Sequence, residues 1–381
     1  FIIQAKIQNK NKENILHEAA RKFPWAYVPG LYEFRCDQAQ PIEIVPRSDD
    51  IPTRIENAVM RDFENVSVLV KPLLPFAQAV HERVTVEVMR GCPGRCRFCQ
   101  ASYCRRPVRF KSPERIFETA RTAWQNTGYD TVSLLSLSTA DYPGLEELVD
   151  KLQSFFEPRH VGLSLPSLRV DQQLKLIPRL AESVRKSGLT IAVEAASEHI
   201  RKVIKKPIKN EDLFAGVEAA CKAGWQKIKL YFMVGLPGET EEDIKEIVNL
   251  SYNLAKLGKK VSGKTPQINA AVSWFVPKPH TPFAWLNQRS REYFLNARQI
   301  ILEEKKARKA RFIQFKFHSV ERSILESAIG RGDRRLGDVI ETAWKNGAKF
   351  DLWNEFFDYS IWQDAFAEHK LNVEQLAGQR F

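Results

Sequence analysis

The sequence predicts an α/β fold built on a parallel sheet, and three observations carry that reading. From Val84 onward, short β-branched or aliphatic runs alternate with amphipathic helical stretches, the pattern of repeated βα units. The helical stretches keep helical spacing, as in Leu145, Leu148, Val149, Leu152 and Phe156, and again in Ile244, Ile247, Val248, Ser251 and Leu254. Thr240 followed by Glu241, Glu242 and Asp243 supplies an N-cap with an acidic first turn, where carboxylates meet the positive end of the helix dipole.

In chain order, residues 1–80 lack the alternation and read as a lead-in or linker. An amphipathic start around Ile15 to Phe23 is followed by a stretch punctuated by Pro41, Pro46, Pro52, Pro72 and Pro75. Residues 81–285 carry six expected strands: Val84 to Met89, Thr131 to Leu135, Val161 to Leu165, Leu189 to Val193, Lys227 to Val234 and Asn269 to Val276. Residues 286–381 read as a docked helical extension, rich in aromatics at Trp344, Phe350, Trp353, Phe356, Phe357, Trp362 and Phe366. No internal repeat or low-complexity tract interrupts this plan.

With 381 residues the chain can bury one large α/β core with appendages, or two ordinary domains. No run approaches the roughly 18 apolar residues of a membrane span, so a soluble chain with no membrane role is expected. Six cysteines are too few for a disulfide scaffold, and three crowd into eight positions, which points to ligation in a reducing compartment, the cytoplasm. The chain opens at Phe1 with no signal-like segment, which leaves room for an upstream piece. The net charge of +12 favours polyanionic partners or serves solubility alone.

The stretch Arg90 to Cys99 directly follows the first expected strand and spaces Cys92, Cys96 and Cys99 as Cys-x3-Cys-x2-Cys. Three thiolates hold three irons of a four-iron cluster and leave the fourth open for a substrate, whereas electron-transfer clusters are usually closed by a fourth Cys. Pro93 and Gly94 allow the tight loop. A zinc site or a closed ferredoxin-like cluster would recruit Cys104 as the fourth ligand. Cys36 and Cys221 have no partners in sequence and read as packing residues.

With aromatic Phe98 before its last Cys, this motif resembles the signature of the radical S-adenosylmethionine (SAM) superfamily. The resemblance implies a partial (β/α)6 parallel barrel, a [4Fe-4S] cluster on Cys92, Cys96 and Cys99, SAM, and an electron donor of the flavodoxin or ferredoxin type. It implies reductive cleavage of SAM to methionine and a 5'-deoxyadenosyl radical. It also implies cofactor contacts at the strand ends. Ser136 and Ser138 lie where the superfamily orients the methionyl amine; Glu194 and Ser164 lie near the ribose, and Gly235 in Met233 to Glu239 near the adenine. The bland readings beside these are an ordinary Ser/Thr turn, an ion pair of Glu194 with the cations that follow it, and a plain strand-to-helix turn, the last preferred for Glu239. The phrases Arg90 to Gln100, Leu134 to Tyr142, Leu165 to Val170, Leu230 to Gly238, Phe275 to Phe283 and Arg331 to Arg335 resemble an uncharacterised radical SAM family. Its members commonly carry a cobalamin-binding domain upstream. No Asp-x-His-x-x-Gly motif surrounds any of the seven His residues, so any cobalamin domain is expected to lie upstream of Phe1, to use another binding mode, or to be absent.

Arg90 to Lys111 contains seven basic residues (Arg90, Arg95, Arg97, Arg105, Arg106, Arg109, Lys111) and no acid. A second acid-free stretch, Arg201, Lys202, Lys205, Lys206 and Lys209, follows Glu194. In a barrel both reach the mouth, and Arg105, Arg106, Arg109, Lys205 and Lys206 are the candidate contacts to a phosphate-bearing substrate such as RNA. A solvated helix face is the alternative for residues 201–209, and the preferred reading for Lys305 to Arg311 beside Glu303 and Glu304. Phe350, Trp353 and Phe357 at helical spacing read as a core face in preference to a base-stacking surface. The expected function is modification of an unreactive carbon on RNA or another anionic macromolecule, by methyl transfer if a cobalamin domain exists, with the residues acting on substrate unassigned. Methylthiolation needs a second cluster with three more cysteines upstream, and residues 1–80 contain only Cys36. The alternative of another class is a non-catalytic zinc or iron-sulfur nucleic-acid-binding module.

Overall fold

A computed structural model describes residues 1–37, 40–77, 81–164, 189–206 and 208–380. The expected strand end at Leu165, the segment Leu165 to Val170 and the side chain of Cys36 lie outside the described residues. The chain divides into two units, Phe1–Asp62 and Phe63–Phe381.

In the first unit, the helix Lys12–Lys22 starts where the Asn11 side chain accepts a hydrogen bond from the Asn14 amide. An antiparallel hairpin follows, β1 (Tyr32–Asp37) with β2 (Gln40–Pro46), so part of the proline-punctuated stretch is a paired ribbon. Ala20, Tyr32 and Ile51 form its small core, and the Tyr32 hydroxyl donates to the Pro52 carbonyl at 2.8 Å.

The second unit carries the parallel strands. The first expected strand is broken at Val88: β3 (Val84–Glu87) joins the sheet, while β4 (Met89–Arg90) pairs antiparallel with β5 (Arg109–Phe110). Val88 itself donates to the Leu135 carbonyl and accepts from the Lys111 amide, both at 3.0 Å, so it belongs to both neighbours. β6 (Thr131–Leu135) and β7 (Gly162–Ser164) complete a parallel sheet in the order β3-β6-β7. β8 (Leu189–Glu194), β9 (Lys227–Val234), β10 (Gln267–Trp274) and β11 (Ile313–Phe317) form a second parallel sheet in the order β11-β10-β9-β8. β11 lies inside the stretch read as helical. Ile313, Phe315 and Phe317 alternate with Gln314 and Lys316, a period of two that five residues carry too briefly to stand out between helices. It pairs with β10 from Ile268↔Ile313 to Val272↔Phe317.

Helices cover both sheets. Ile116, Leu148 and Leu152 pack on Val86, Val132 and Leu134 in one core, and Leu213, Val248, Leu254 and Ile301 pack on Ile191, Leu230, Ile268 and Ile313 in the other. The helix Glu241–Ser262 begins with a full capping box: the Thr240 side chain accepts from the Asp243 amide while the Asp243 carboxylate accepts from the Thr240 amide. Among the described residues no helix is long and apolar enough to cross a membrane. Because the strands within each sheet are parallel, their C-terminal ends share one face, and the loops there assemble the candidate site.

Candidate functional site at the strand ends

The cysteine loop is shaped by two glycines. Gly91 has φ of +94°, and a Cβ there would stand 2.6 Å from the Arg105 carbonyl oxygen, so the backbone passes where no side chain fits. At Gly94 a Cβ would stand 3.3 Å from the Cys92 sulfur and 4.0 Å from the Cys96 sulfur. Glycine therefore leaves open the space beside two of the three thiols. The Cys99 amide donates to the Cys96 carbonyl at 3.1 Å, bringing the third close. All three are half-buried and so still reachable. Burial pushes the Cys96 thiol up, the Lys206 cation pulls it down, and the neighbouring Cys99 and Cys92 push it up again. Among the described residues, no three Cys, His, Asp or Glu side chains converge as a single metal ion requires. Three thiols on one loop are the soft donors that an iron-sulfur cluster takes.

Hydrogen bonds brace this loop from within. The Arg106 guanidinium donates to the carbonyls of Ser102 (2.8 Å), Gly94 (3.2 Å) and Pro93 (3.3 Å). The Ser102 hydroxyl donates to the Cys99 carbonyl at 2.9 Å, and the Tyr103 hydroxyl to that of Arg95 at 3.1 Å. Contacts with the second sheet hold the loop across the mouth. Phe98 packs into an apolar plug of Ala195, Ile200, Ile204, Leu236, Phe275 and Phe283. The Arg97 amide donates to Ile204 at 2.9 Å, its guanidinium to Val203 at 2.8 Å, and Gln100 reaches the Pro279 carbonyl at 3.2 Å.

The expected SAM contacts fall at strand ends, in differing states. Ser136 shares a hydrogen bond with Thr139 at 2.8 Å and buried Ser138 donates to Asp141 at 2.6 Å, so both hydroxyls take part in an internal Ser/Thr/Asp turn. Ser164 ends β7 opposite Ser133. Glu194 ends β8 at a register shift with φ of +69° and forms an ion pair with Lys206 at 2.8 Å. Gly235 has φ of +97°, and a Cβ there would stand 2.7 Å from the Phe294 ring.

Glu239, read from the sequence as part of a plain strand-to-helix turn, does more than close that turn. Its Oε2 accepts from the Gly235 amide at 2.6 Å and from the Tyr293 hydroxyl at 3.0 Å, joining the loop after β9 to the helix Arg291–Ala307. Desolvation raises its pKa to about 7, against the pull of those two donors. Nothing in a Gly-Leu-Pro-Gly-Glu turn forecasts a tyrosine partner 54 positions onward.

The two basic stretches divide on inspection. Arg105, Arg95, Lys202, Lys205 and Lys209 are exposed. Arg106 is committed to the cysteine loop, Lys206 to Glu194, and Arg109 donates to the Pro107 carbonyl at 3.0 Å. Lys111 is buried with its ammonium 5.0 Å from the Phe63 ring centroid, and Arg90 grips Glu87 through two hydrogen bonds at 2.7 and 2.9 Å. Arg201, expected at the rim, is fully buried and donates to the carbonyls of Ala195 (3.2 Å) and Ala196 (3.1 Å) and to the Asn210 side chain. The backbone leaving β8 needs a donor there, and the guanidinium supplies it. Cys221 is buried against the second core, as a packing residue would be.

A parallel α/β domain with an open three-cysteine loop at its strand ends is the class that this geometry defines. Residues 86–251 match the model of the radical SAM superfamily, and the chain carries a domain of that superfamily. The uncharacterised protein MJ0966 of Methanocaldococcus jannaschii is 32% identical over 289 residues, covering 73% of this chain and 61% of that protein. The tRNA-2-methylthio-N(6)-dimethylallyladenosine synthase of Pelotomaculum thermopropionicum is 26% identical over 46% of this chain and 41% of its own length. Among solved structures, the radical SAM methyltransferase TsrM from Kitasatospora setae, with cobalamin and a [4Fe-4S] cluster bound, matches with a TM-score of 0.42 at 14% identity over 53% of this chain and 38% of that one. The chain thus spans about three fifths or less of these relatives' own lengths.

Proposed function

We propose that this chain is the catalytic portion of an enzyme that holds a [4Fe-4S] cluster on Cys92, Cys96 and Cys99, binds SAM beside it, and modifies an unreactive carbon on RNA or another anionic macromolecule. The observation that supports this best is the glycine-opened cysteine triad braced across the strand ends. A cluster bound there supplies one-electron reduction of the SAM sulfonium, fed by a flavodoxin- or ferredoxin-type donor. The chain's own residues hold and orient. Arg106 and Ser102 set the loop's carbonyls, and the plug around Phe98 keeps water from beneath it. Glu194 has acceptor capacity for the ribose hydroxyls as well as for Lys206, since a carboxylate takes several donors. Gly235 remains a proposed neighbour of the adenine through the turn it makes after β9, its own Cβ side being packed against Phe294. Ser136, Ser138 and Ser164 remain proposed neighbours of the methionyl and ribose groups.

Anaerobically reconstituted protein is expected to hold about four irons per chain and, with dithionite, to convert SAM to 5'-deoxyadenosine. Glu194→Ala should weaken SAM binding while iron content stays normal. One zinc per chain in place of iron would overturn the reading. Exposed Arg95, Arg105, Lys202, Lys205 and Lys209 support the polyanionic substrate. RNA affinity should fall with salt at a log-log slope of about −0.7 per phosphate neutralised. Neutralising Arg95, Arg105 and Arg109 should flatten that slope more than the same change at Lys305, Lys306 and Lys309. Equal losses would count against a directed contact. Methyl transfer with cobalamin rests on an upstream domain, and the names of the methylthio-forming relatives keep methylthiolation as the second reading.

A further inference from the structure

Glu194 and Lys206 form an ion pair that differs from an ordinary surface pair. Glu194 is held at φ +69°, in the left-handed region that a non-glycine residue enters at a cost, where β8 shifts register against β9. Its carboxylate meets the Lys206 ammonium at 2.8 Å, and the two side chains are only 16% and 17% exposed. A buried pair brings little net stability, because both charges give up water to form it. Strain and desolvation together at a strand end therefore point to a use for the charge itself.

Hydrogen bonds fix where the ammonium stands. The helix Glu198–Val203 closes with the Lys205 amide on the Lys202 carbonyl (3.1 Å) and the Lys206 amide on that of Arg201 (2.9 Å). Lys205 takes φ +56° between them, the left-handed ending that locks the last turn of a helix. The same turn is tied to the cysteine loop, since the Arg97 amide donates to the Ile204 carbonyl at 2.9 Å and its guanidinium to that of Val203 at 2.8 Å. Arg97 lies between Cys96 and Cys99, so Lys206 is brought within electrostatic reach of the Cys96 sulfur. Of the charges acting on that sulfur, Lys206 acts most strongly, ahead of the opposing Cys99, Cys92 and Glu194. The pair is therefore a dipole with its positive end toward the triad. The loop's own cations are engaged differently: Arg97 with Val203, Arg106 with the carbonyls of Ser102, Gly94 and Pro93, while Arg95 is exposed.

We propose that Lys206, held in place by Glu194, is the counter-cation that raises the reduction potential of a [4Fe-4S] cluster on Cys92, Cys96 and Cys99. The proposal rests on the cluster reading of the triad and adds a residue that makes such a cluster easier to reduce. A cluster on three thiolates gains negative charge when it takes one electron from a flavodoxin- or ferredoxin-type donor, and a fixed cation nearby stabilises the reduced form more than the oxidised one. Away from bulk water that interaction is only partly screened. Glu194 has the complementary task of keeping a long, flexible lysine side chain from swinging into solvent.

The test is the midpoint potential of the reconstituted full chain, followed by electron paramagnetic resonance in an anaerobic redox titration, with iron content measured alongside. Lys206→Met, which keeps an unbranched stem without the charge, should make the reduced form about tenfold less favoured, a lowering of about 59 mV for one electron. Lys206→Arg, which keeps the charge, should stay near the unaltered potential. Lys206→Met combined with Glu194→Gln removes both ends of the dipole and should lower the potential by less than Lys206→Met alone. An unchanged potential in Lys206→Met at full iron content overturns the proposal. Full recovery in the double variant does so too, because Lys206 would then only neutralise Glu194. Loss of iron in Lys206→Met but not in Lys206→Arg would show the charge holding an anionic cluster and support the proposal, whereas loss in both would assign Lys206 to the folding of the loop and overturn it. An unaltered chain that yields no four-iron signal overturns the cluster reading itself, and the proposal with it.

Discussion

Glu239→Gln isolates one buried carboxyl and gives the sharpest test of the site's electrostatics. Desolvation lifts Glu239 from its ordinary 4.5 to about 7. The folded state therefore keeps a proton that the unfolded chain has already released. Stability from this group is fully present below pH 4.5 and is lost as pH rises through about 7. The gap of roughly 2.5 units corresponds to about 3 kcal/mol at 1.36 kcal/mol per unit. Gln keeps the geometry, because one amide oxygen can accept from both the Gly235 amide and the Tyr293 hydroxyl, yet it has no charge to form. Urea unfolding of both proteins at pH 5 and pH 8 forms a cycle in which every other titrating group cancels. The wild-type chain should lose up to about 3 kcal/mol more than the variant between the two pH values. Parallel pH profiles would show that Glu239 ionises without cost, and the account of a desolvated hub behind Gly235 would fail.

Three further outcomes test the rest of the construction. Gly91→Ala forces a side chain to φ +94° and against the Arg105 carbonyl, so it should cost about 1–3 kcal/mol and sharply lower iron content after reconstitution; normal iron would mean that the loop tolerates the shift. Arg201→Leu leaves the Ala195 and Ala196 carbonyls and Asn210 without their donor, at about 1–3 kcal/mol for each unsatisfied group, and should leave the RNA salt slope untouched; a flattened slope would return Arg201 to the rim. Cys104→Ser should keep full iron content, and loss of iron would make Cys104 a ligand and close the cluster.

The cysteine loop was legible because its chemistry is local: three thiols, a proline and a glycine lie within eight positions, and ligand spacing survives in one dimension. The strand-helix alternation was legible for the same reason, since burial on one face imprints a period on the chain. The aromatic stretch misled because Phe350, Trp353 and Phe357 are spaced for a helix that the chain does not form there. Phe350 takes a φ of +57° and a run of turns sends only Phe357 inward.

Residue type and spacing alone thus determined the parallel α/β class and the three-cysteine loop with Gly94 inside it, because those depend on neighbours a few positions away. Which cations face solvent was decided only in three dimensions. Arg106, Arg201 and Lys206 read as rim charge in a linear count, yet each is drawn inward by carbonyls or a carboxylate. Glu239 likewise became a hub only when Tyr293 arrived from another helix. Desolvation and hydrogen bonding act through distance in space, and a buried polar group must find its partner wherever the fold brings one within about 3 Å.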